Sequence, residues 1–255
     1  MANLLKTHSP FPTPHSPFSM TLKAVLFDFN GVIINDESIH LQLIDEILLQ
    51  ENLRPSPQDV RDYCLGRSDS ACLVDLLKSR GRFVTEDNLN RMIARKAQLY
   101  RVKLEELPKL PIYPGLEDLI FKIRLAQLPM GIVSGALRSE VELVLTRAEL
   151  LPYFSVIIAG DDLKVSKPEP DGYLLAVERL NQQYPDLKAR SNDCLAIEDT
   201  FAGIEAAKRA GMQVVGVANT YPFHMIQRQA NWAVDYLNDL ELERVQEVYA
   251  ALAPN

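Results

Sequence analysis

At 255 residues, with 47% hydrophobic and 24% charged side chains, the chain can bury a sizeable core as one large domain or two modest ones. A formal charge of −7 argues against nucleic acid or an anionic lipid surface as the main partner, while leaving room for a small phosphorylated ligand in a locally positive pocket. No run of 18 apolar residues is present to span a membrane. Cys64, Cys72 and Cys194 are too few and too scattered for a disulfide framework, so a reducing, cytoplasmic location is expected.

Residues 1–20 hold four prolines, no continuous apolar core and no arginine, which fits neither a signal peptide nor a transit peptide. They are expected to form a disordered tail, with Met20 an alternative start. Ala24 to Phe27 is a short apolar run, the pattern of a strand buried on both faces of a parallel sheet. It ends on Asp28 and reaches Asn30-Gly31, a turn signal. A helix is predicted over 37–50, capped by Asn35 or Asp36, with Ile39, Leu43, Ile44, Ile47 and Leu48 on one face. Further helices are predicted over 58–64, after Gly66-Arg67-Ser68 with Ser68 as cap and Gly81 as stop, and over 86–106 behind Thr85. No strand is expected between 36 and 107, so this stretch reads as an all-helical insert.

Beyond the proline-rich punctuation at 107–115 the pattern alternates. Helices are predicted over 116–128, 138–150, 172–182, 201–210 and 240–252, and strands over 130–133, 155–158, 194–197, 213–217 and 232–234. That alternation implies an α/β fold, a Rossmann-like parallel sheet with helices on both faces. The expected organisation is a core of 21–35 and 108–255, interrupted by a helical cap of 36–107.

Ligand crevices in such sheets lie at the carboxyl ends of the strands, and four strand ends here carry polar groups. The first presents Asp28 and Asn30. The second runs into Ser134-Gly135-Ala136, a hydroxyl and backbone donors suited to an oxyanion. The third leads to a loop bearing Lys164 and Lys167, and the fourth ends in Glu198-Asp199, paired acids suited to a hard cation such as Mg²⁺. Singly, each has an ordinary structural explanation: a helix cap, a solvated lysine, a solvated acid pair. Jointly they supply a carboxylate nucleophile, a metal site, a hydroxyl and a cation, the parts of phosphoryl transfer.

From Lys23 to the C-terminus the chain resembles the haloacid-dehalogenase superfamily of aspartate-nucleophile phosphatases and phosphotransferases. The resemblance rests on Phe27-Asp28-Phe29-Asn30-Gly31-Val32, Ile132-Val133-Ser134-Gly135, Ser166-Lys167-Pro168-Glu169-Pro170 and Ile197-Glu198-Asp199-Thr200, in order. The helical insert is similar to the cap of the branch that holds β-phosphoglucomutases and phosphoglycolate phosphatases. The resemblance implies a Mg²⁺-dependent hydrolase of a small phosphorylated metabolite, acting as a monomer through an aspartyl phosphate on Asp28. Asp28, the Asn30 carbonyl, Asp199 and, nearby, Glu198 would hold the metal. Ser134, Lys167 and the backbone near Gly31 and Gly135 would hold the phosphoryl oxygens.

The family's phosphatases carry Asp two residues after the nucleophile, as acid and base, whereas this chain has Asn30. An amide cannot exchange a proton near neutral pH, and general acid–base catalysis contributes roughly 10²–10⁴-fold. Three readings follow: a substrate with a good leaving group, such as an acyl or enol phosphate; a proton from Glu37 or His40; or a weak or inactive relative that only binds a phosphate ligand. Deamidation of Asn30-Gly31 to restore Asp is a fourth. In the cap, Gly66-Arg67 lies where the resembled branch places its specificity loop, and His40 and Lys96 have counterparts in β-phosphoglucomutases. Asp69 stands where those mutases place a phosphate-binding arginine, which opposes a sugar phosphate mutase. Ser134, Asp199 and His224 follow the chain order of a serine hydrolase, but Ile132 and Ala136 replace the glycines of its nucleophile elbow. A dehydrogenase's G-x-G-x-x-G is missing.

Overall fold

The computed structural model describes residues 21–251; the predicted tail lies outside them. Strand β1 (Ala24–Phe27) is buried throughout. The chain then builds the helices α1 (Glu37–Gln50), α2 (Pro57–Tyr63), α3 (Asp69–Ser79) and α4 (Glu86–Glu105) before returning through α5 (Leu116–Leu125) to β2 (Met130–Val133). There follow α6 (Arg138–Arg147), β3 (Val156–Ile158), α7 (Asp171–Gln183), β4 (Cys194–Glu198) and α8 (Phe201–Arg209). The chain closes with β5 (Gln213–Val217), α9 (Phe223–Ile226), β6 (Trp232–Val234) and α10 (Leu242–Ala251).

All pairings in the six-stranded sheet are parallel, in the order β3-β2-β1-β4-β5-β6. The strand the chain makes first therefore lies inside the sheet, between β2 and β4. Side-chain alternation divides the core. Val25, Phe27, Ile132, Leu195 and Ile197 pack with apolar residues of α5, α6 and α10, while Ala24, Leu26, Val133 and Ala196 pack with those of α7 and α8. Both faces are covered, which is why these strands read as unbroken apolar runs. The fold is the expected Rossmann-like α/β core with an inserted helical cap. The cap has its own small core of Ile44, Ile47, Leu48, Leu73, Leu76, Leu77 and Met92.

Several local expectations needed revision. The helix predicted over 116–128 stops at Leu125, because Gln127 turns left-handed (φ 56°) and the Leu128 N–H returns to the Ile123 carbonyl at 3.2 Å. This is a Schellman-type ending made without glycine. Asp36 sits at the N-cap of α1 but its side chain makes no capping bond; the carboxylate is engaged elsewhere, as described below. No disulfide is expected from three scattered cysteines in a reducing compartment, yet Cys64 and Cys72 are bonded to one another. Cys64 closes α2 and Cys72 lies in the first turn of α3, so the corner between the helices brings their Cα atoms to 4.5 Å. Among the described residues, no helix is long and apolar enough to cross a membrane.

Candidate active site

Asp28 follows β1 directly and is 4% exposed. Its Oδ1 accepts from the Phe29 N–H at 2.7 Å and lies 2.9 Å from the Lys167 ammonium. Lys167 comes from the loop between β3 and α7 and donates to Glu198 Oε1 at 2.7 Å. Tyr173, on α7, donates its hydroxyl to the same oxygen. Glu198 ends β4 and Asp199 follows it, so the pairing of β1 with β4 carries all three acids to one edge.

Carboxylate oxygens of Asp28, Glu198 and Asp199 lie within 4.8 Å of one another. Glu198 Oε2 and Asp199 Oδ1 are buried without a hydrogen-bond partner. Three buried acids around one ammonium leave an excess of negative charge that the protein does not compensate. Burial, and then the Asp28 charge, push Glu198 up to about 8. Burial, Asp28 and Glu198 raise Asp199 well above the usual carboxylate range. Burial opposes the Lys167 ammonium, but Asp28 and Glu198 outweigh it and raise its pKa. Hard oxygen donors, two orphaned lone-pair sites and surplus negative charge fit a divalent cation such as Mg²⁺.

Gly31 has φ +80°, and a Cβ there would stand 1.9 Å from Asp199 Oδ2. Both the turn and the close approach of the acid therefore require glycine. Two further residues of the loop after β5 hold this corner: Asn219 Nδ2 donates to the Gly31 carbonyl at 2.7 Å, and the Thr220 hydroxyl donates to Asp199 Oδ2. Sequence reasoning missed both, along with Tyr173. The strand-end rule applied to Ala218-Asn219-Thr220 was the available signal. Ser134 is buried at the end of β2 and its Oγ accepts from the Ala136 N–H at 3.0 Å. Ser134, Gly135 and Lys167 line a small cavity of about 10 Å³. His224 lies in the short helix α9 and is absent from the residues lining either cavity.

Asn30 is locked by a partner that sequence reasoning passed over. Its Nδ2 donates to both oxygens of Asp36 at 3.0 Å. His40 Nε2 lies 3.1 Å from the same nitrogen and 3.2 Å from Asp36 Oδ2. The Tyr100 hydroxyl donates to Asp36 Oδ2, and the His40 ring stacks on Tyr100 with centroids 4.7 Å apart. Asp36 is fully buried. Burial alone would raise its pKa, but His40, Tyr100 and Asn30 together hold it below the usual range. The Gly31 N–H, which deamidation needs as its attacking atom, is bonded to the Ile34 carbonyl at 2.9 Å; with the Asn30 amide pinned as well, the geometry opposes that modification.

The cap closes over this edge. The Ser68 N–H donates to Ser166 Oγ at 2.7 Å, and a Cβ on Gly66 would fall 2.2 Å from Thr200 Oγ1. Between cap and core lies a cavity of about 90 Å³ whose walls include Asp28, Asn30, Gly31, Glu37, His40, Gly66, Arg67, Asp69, Gly135 and Asp199. The disulfide-bonded Cys64 and Cys72 also border it. The structure thus gathers most of the expected site residues around one space. Ser134, Lys167, Glu198 and Lys96 do not line it; Lys96 is fully buried and held by Asp69 at 2.6 Å and Glu140 at 3.6 Å. Burial opposes its charge, but the two acids outweigh that and keep it an ammonium.

The sequence profile described as haloacid dehalogenase-like hydrolase matches residues 25–217. The chain is 28% identical over 228 residues to a β-phosphoglucomutase of Bacillus subtilis, covering 89% of this chain and 95% of that protein. It is 27% identical over 199 residues to the validoxylamine A 7'-phosphate phosphatase of Streptomyces hygroscopicus subsp. limoneus, covering 78% and 87%. Among solved structures, a β-phosphoglucomutase from Clostridium difficile superposes with a TM-score of 0.78 at 25% identity, over 90% of this chain and 98% of that one.

Proposed function

The chain belongs to the haloacid dehalogenase-like hydrolase family, and from that premise we propose a Mg²⁺-dependent hydrolase that removes phosphate from a small phosphorylated metabolite through Asp28. The observation that carries this reading is the buried set of Asp28, Glu198 and Asp199 with Lys167 at 2.7–2.9 Å and two orphaned carboxylate oxygens. In the reaction, a carboxylate oxygen of Asp28 bonds to phosphorus as the bond to the leaving oxygen breaks. Water then attacks the same phosphorus, releases inorganic phosphate and regenerates the carboxylate. Lys167, the Ser134 hydroxyl and backbone N–H groups near Gly135 offset charge on the transferring oxygens, while the Gly31 N–H is taken by the Ile34 carbonyl. Asp28, Asp199, Glu198 and the Asn30 carbonyl would hold the metal, which when bound supplies positive charge to the phosphoryl group. Residues 36–107 act as the cap that closes the site from water.

The departure from the family pattern decides the substrate's chemistry. The Asn30 amide is committed to Asp36 and has no proton to give, so the leaving oxygen departs without help from that position. This favours esters with good leaving groups, such as acyl or enol phosphates, with Glu37 and His40 as the other candidate proton donors on the wall. The same lock supports a second reading, a weak or inactive relative that binds a phosphate ligand without turning it over. A phosphate-ester panel with Mg²⁺, including acetyl phosphate, separates the two. Turnover of any member that disappears in Asp28→Ala supports the hydrolase. Retained ligand binding with no turnover of any member supports the second reading.

A further inference from the structure

Among the described residues, Arg67 and Lys96 on the cap's side of the cavity are each already paired with an acid. Asp69, at the start of α3, lines the cavity and is 16% exposed, with its carboxylate 2.6 Å from the Lys96 ammonium. Lys96 reaches it from α4 and is wholly buried. Its other partner is Glu140 on the core helix α6 at 3.6 Å, buried and with Oε1 lacking a hydrogen-bond donor. Two carboxylates share one ammonium, and Asp69 is the one that faces the cavity. Arg67, also on the wall, pairs its two Nη atoms with Asp75 at 2.8 Å and the Tyr63 carbonyl at 3.1 Å, leaving only Nε buried without a partner. Glu37 adds another carboxylate to the same wall.

We propose that the cap excludes a second anionic group and that Asp69 is the specificity-determining residue. The inference rests on the phosphoryl-transfer reading of this cavity and narrows its substrate. The substrate is a phosphomonoester whose leaving half carries hydroxyl or ammonium donors and no second phosphate. Like charges brought together in a partly desolvated pocket cost enough to shift affinity by at least about tenfold, while donors on a neutral or cationic leaving group pair with Asp69 directly.

Binding to the full-length Asp28→Asn protein with Mg²⁺, followed by titration calorimetry, tests this without requiring turnover. The probes are glucose 6-phosphate, glucosamine 6-phosphate and glucose 1,6-bisphosphate. Both monophosphates should bind at least about tenfold more tightly than the bisphosphate. Adding Asp69→Asn uncovers Lys96 and should shrink that ratio by about tenfold or more, while Asp69→Glu, which keeps the charge, should preserve it. A bisphosphate bound as tightly as the monophosphates, a ratio unmoved by Asp69→Asn, or no binding of any probe overturns the inference. Should the wild type turn over no ester while the binding preference stands, the catalytic reading fails and this one holds.

Discussion

Replacing Asn30 by Asp restores the family's acid in name, but the structure predicts that the single substitution disrupts the site. The new carboxylate oxygen would occupy the place of Nδ2, 3.0 Å from both oxygens of the fully buried Asp36. At an effective dielectric of about 20, two unit charges about 3 Å apart repel by about 5–6 kcal/mol. One proton therefore stays on the pair at neutral pH. Holding a proton at pH 7 on a group of ordinary pKa about 3.9 costs about 1.4 kcal/mol per unit, so the penalty is capped at about 4 kcal/mol. The folded-state pKa is raised, so the deficit against wild type is small near pH 4 and grows as pH rises towards the folded pKa. Urea denaturation at pH 5 and pH 7 reads this directly. The double variant Asn30→Asp/Asp36→Asn reverses donor and acceptor, should recover most of the loss, and should raise alkyl phosphate hydrolysis by about 10²-fold or more. Equal stability of Asn30→Asp and wild type at pH 7, or a double variant no better than the single one, refutes the reasoning.

Two further outcomes follow from the same electrostatics. With its pKa pushed up to about 8 by burial and Asp28, Glu198 makes the metal-free fold lose stability as pH rises from about 4.5 towards 8. Mg²⁺ must displace that proton, so the melting-temperature gain on adding Mg²⁺ should be larger at pH 8 than at pH 6; a gain independent of pH would contradict the assigned site. Lys96→Met leaves Asp69 and Glu140 facing each other across the buried junction of cap and core. It should cost about 3–5 kcal/mol in urea denaturation, and a loss under 1 kcal/mol would show that the ammonium is not what neutralises Glu140.

Most of the fold and of the candidate site is legible in the sequence, because the signals are local. An apolar run ending on Asp28, a hydroxyl and glycine after β2, and paired acids closing β4 each announce a strand end, and a parallel sheet must bring strand ends to one edge. The helical insert shows itself by period and by the capping residues Ser68 and Thr85, both of which accept from backbone N–H groups. What the tertiary structure alone decided depends on groups far apart in the chain. Asp36 reads as a helix cap, yet burial beside Asn30, His40 and Tyr100 makes it the hydrogen-bond partner of the Asn30 amide. Lys96 is a candidate substrate-binding residue by resemblance, and packing of α4 against α3 and α6 pairs its charge with Asp69 and Glu140. Thr220 and Asn219 reach Asp199 and Gly31 only because β5 lies beside β4. Residue type and spacing thus name the groups able to do chemistry, but burial and pairing decide which charges remain available, and those depend on distances that no local pattern encodes.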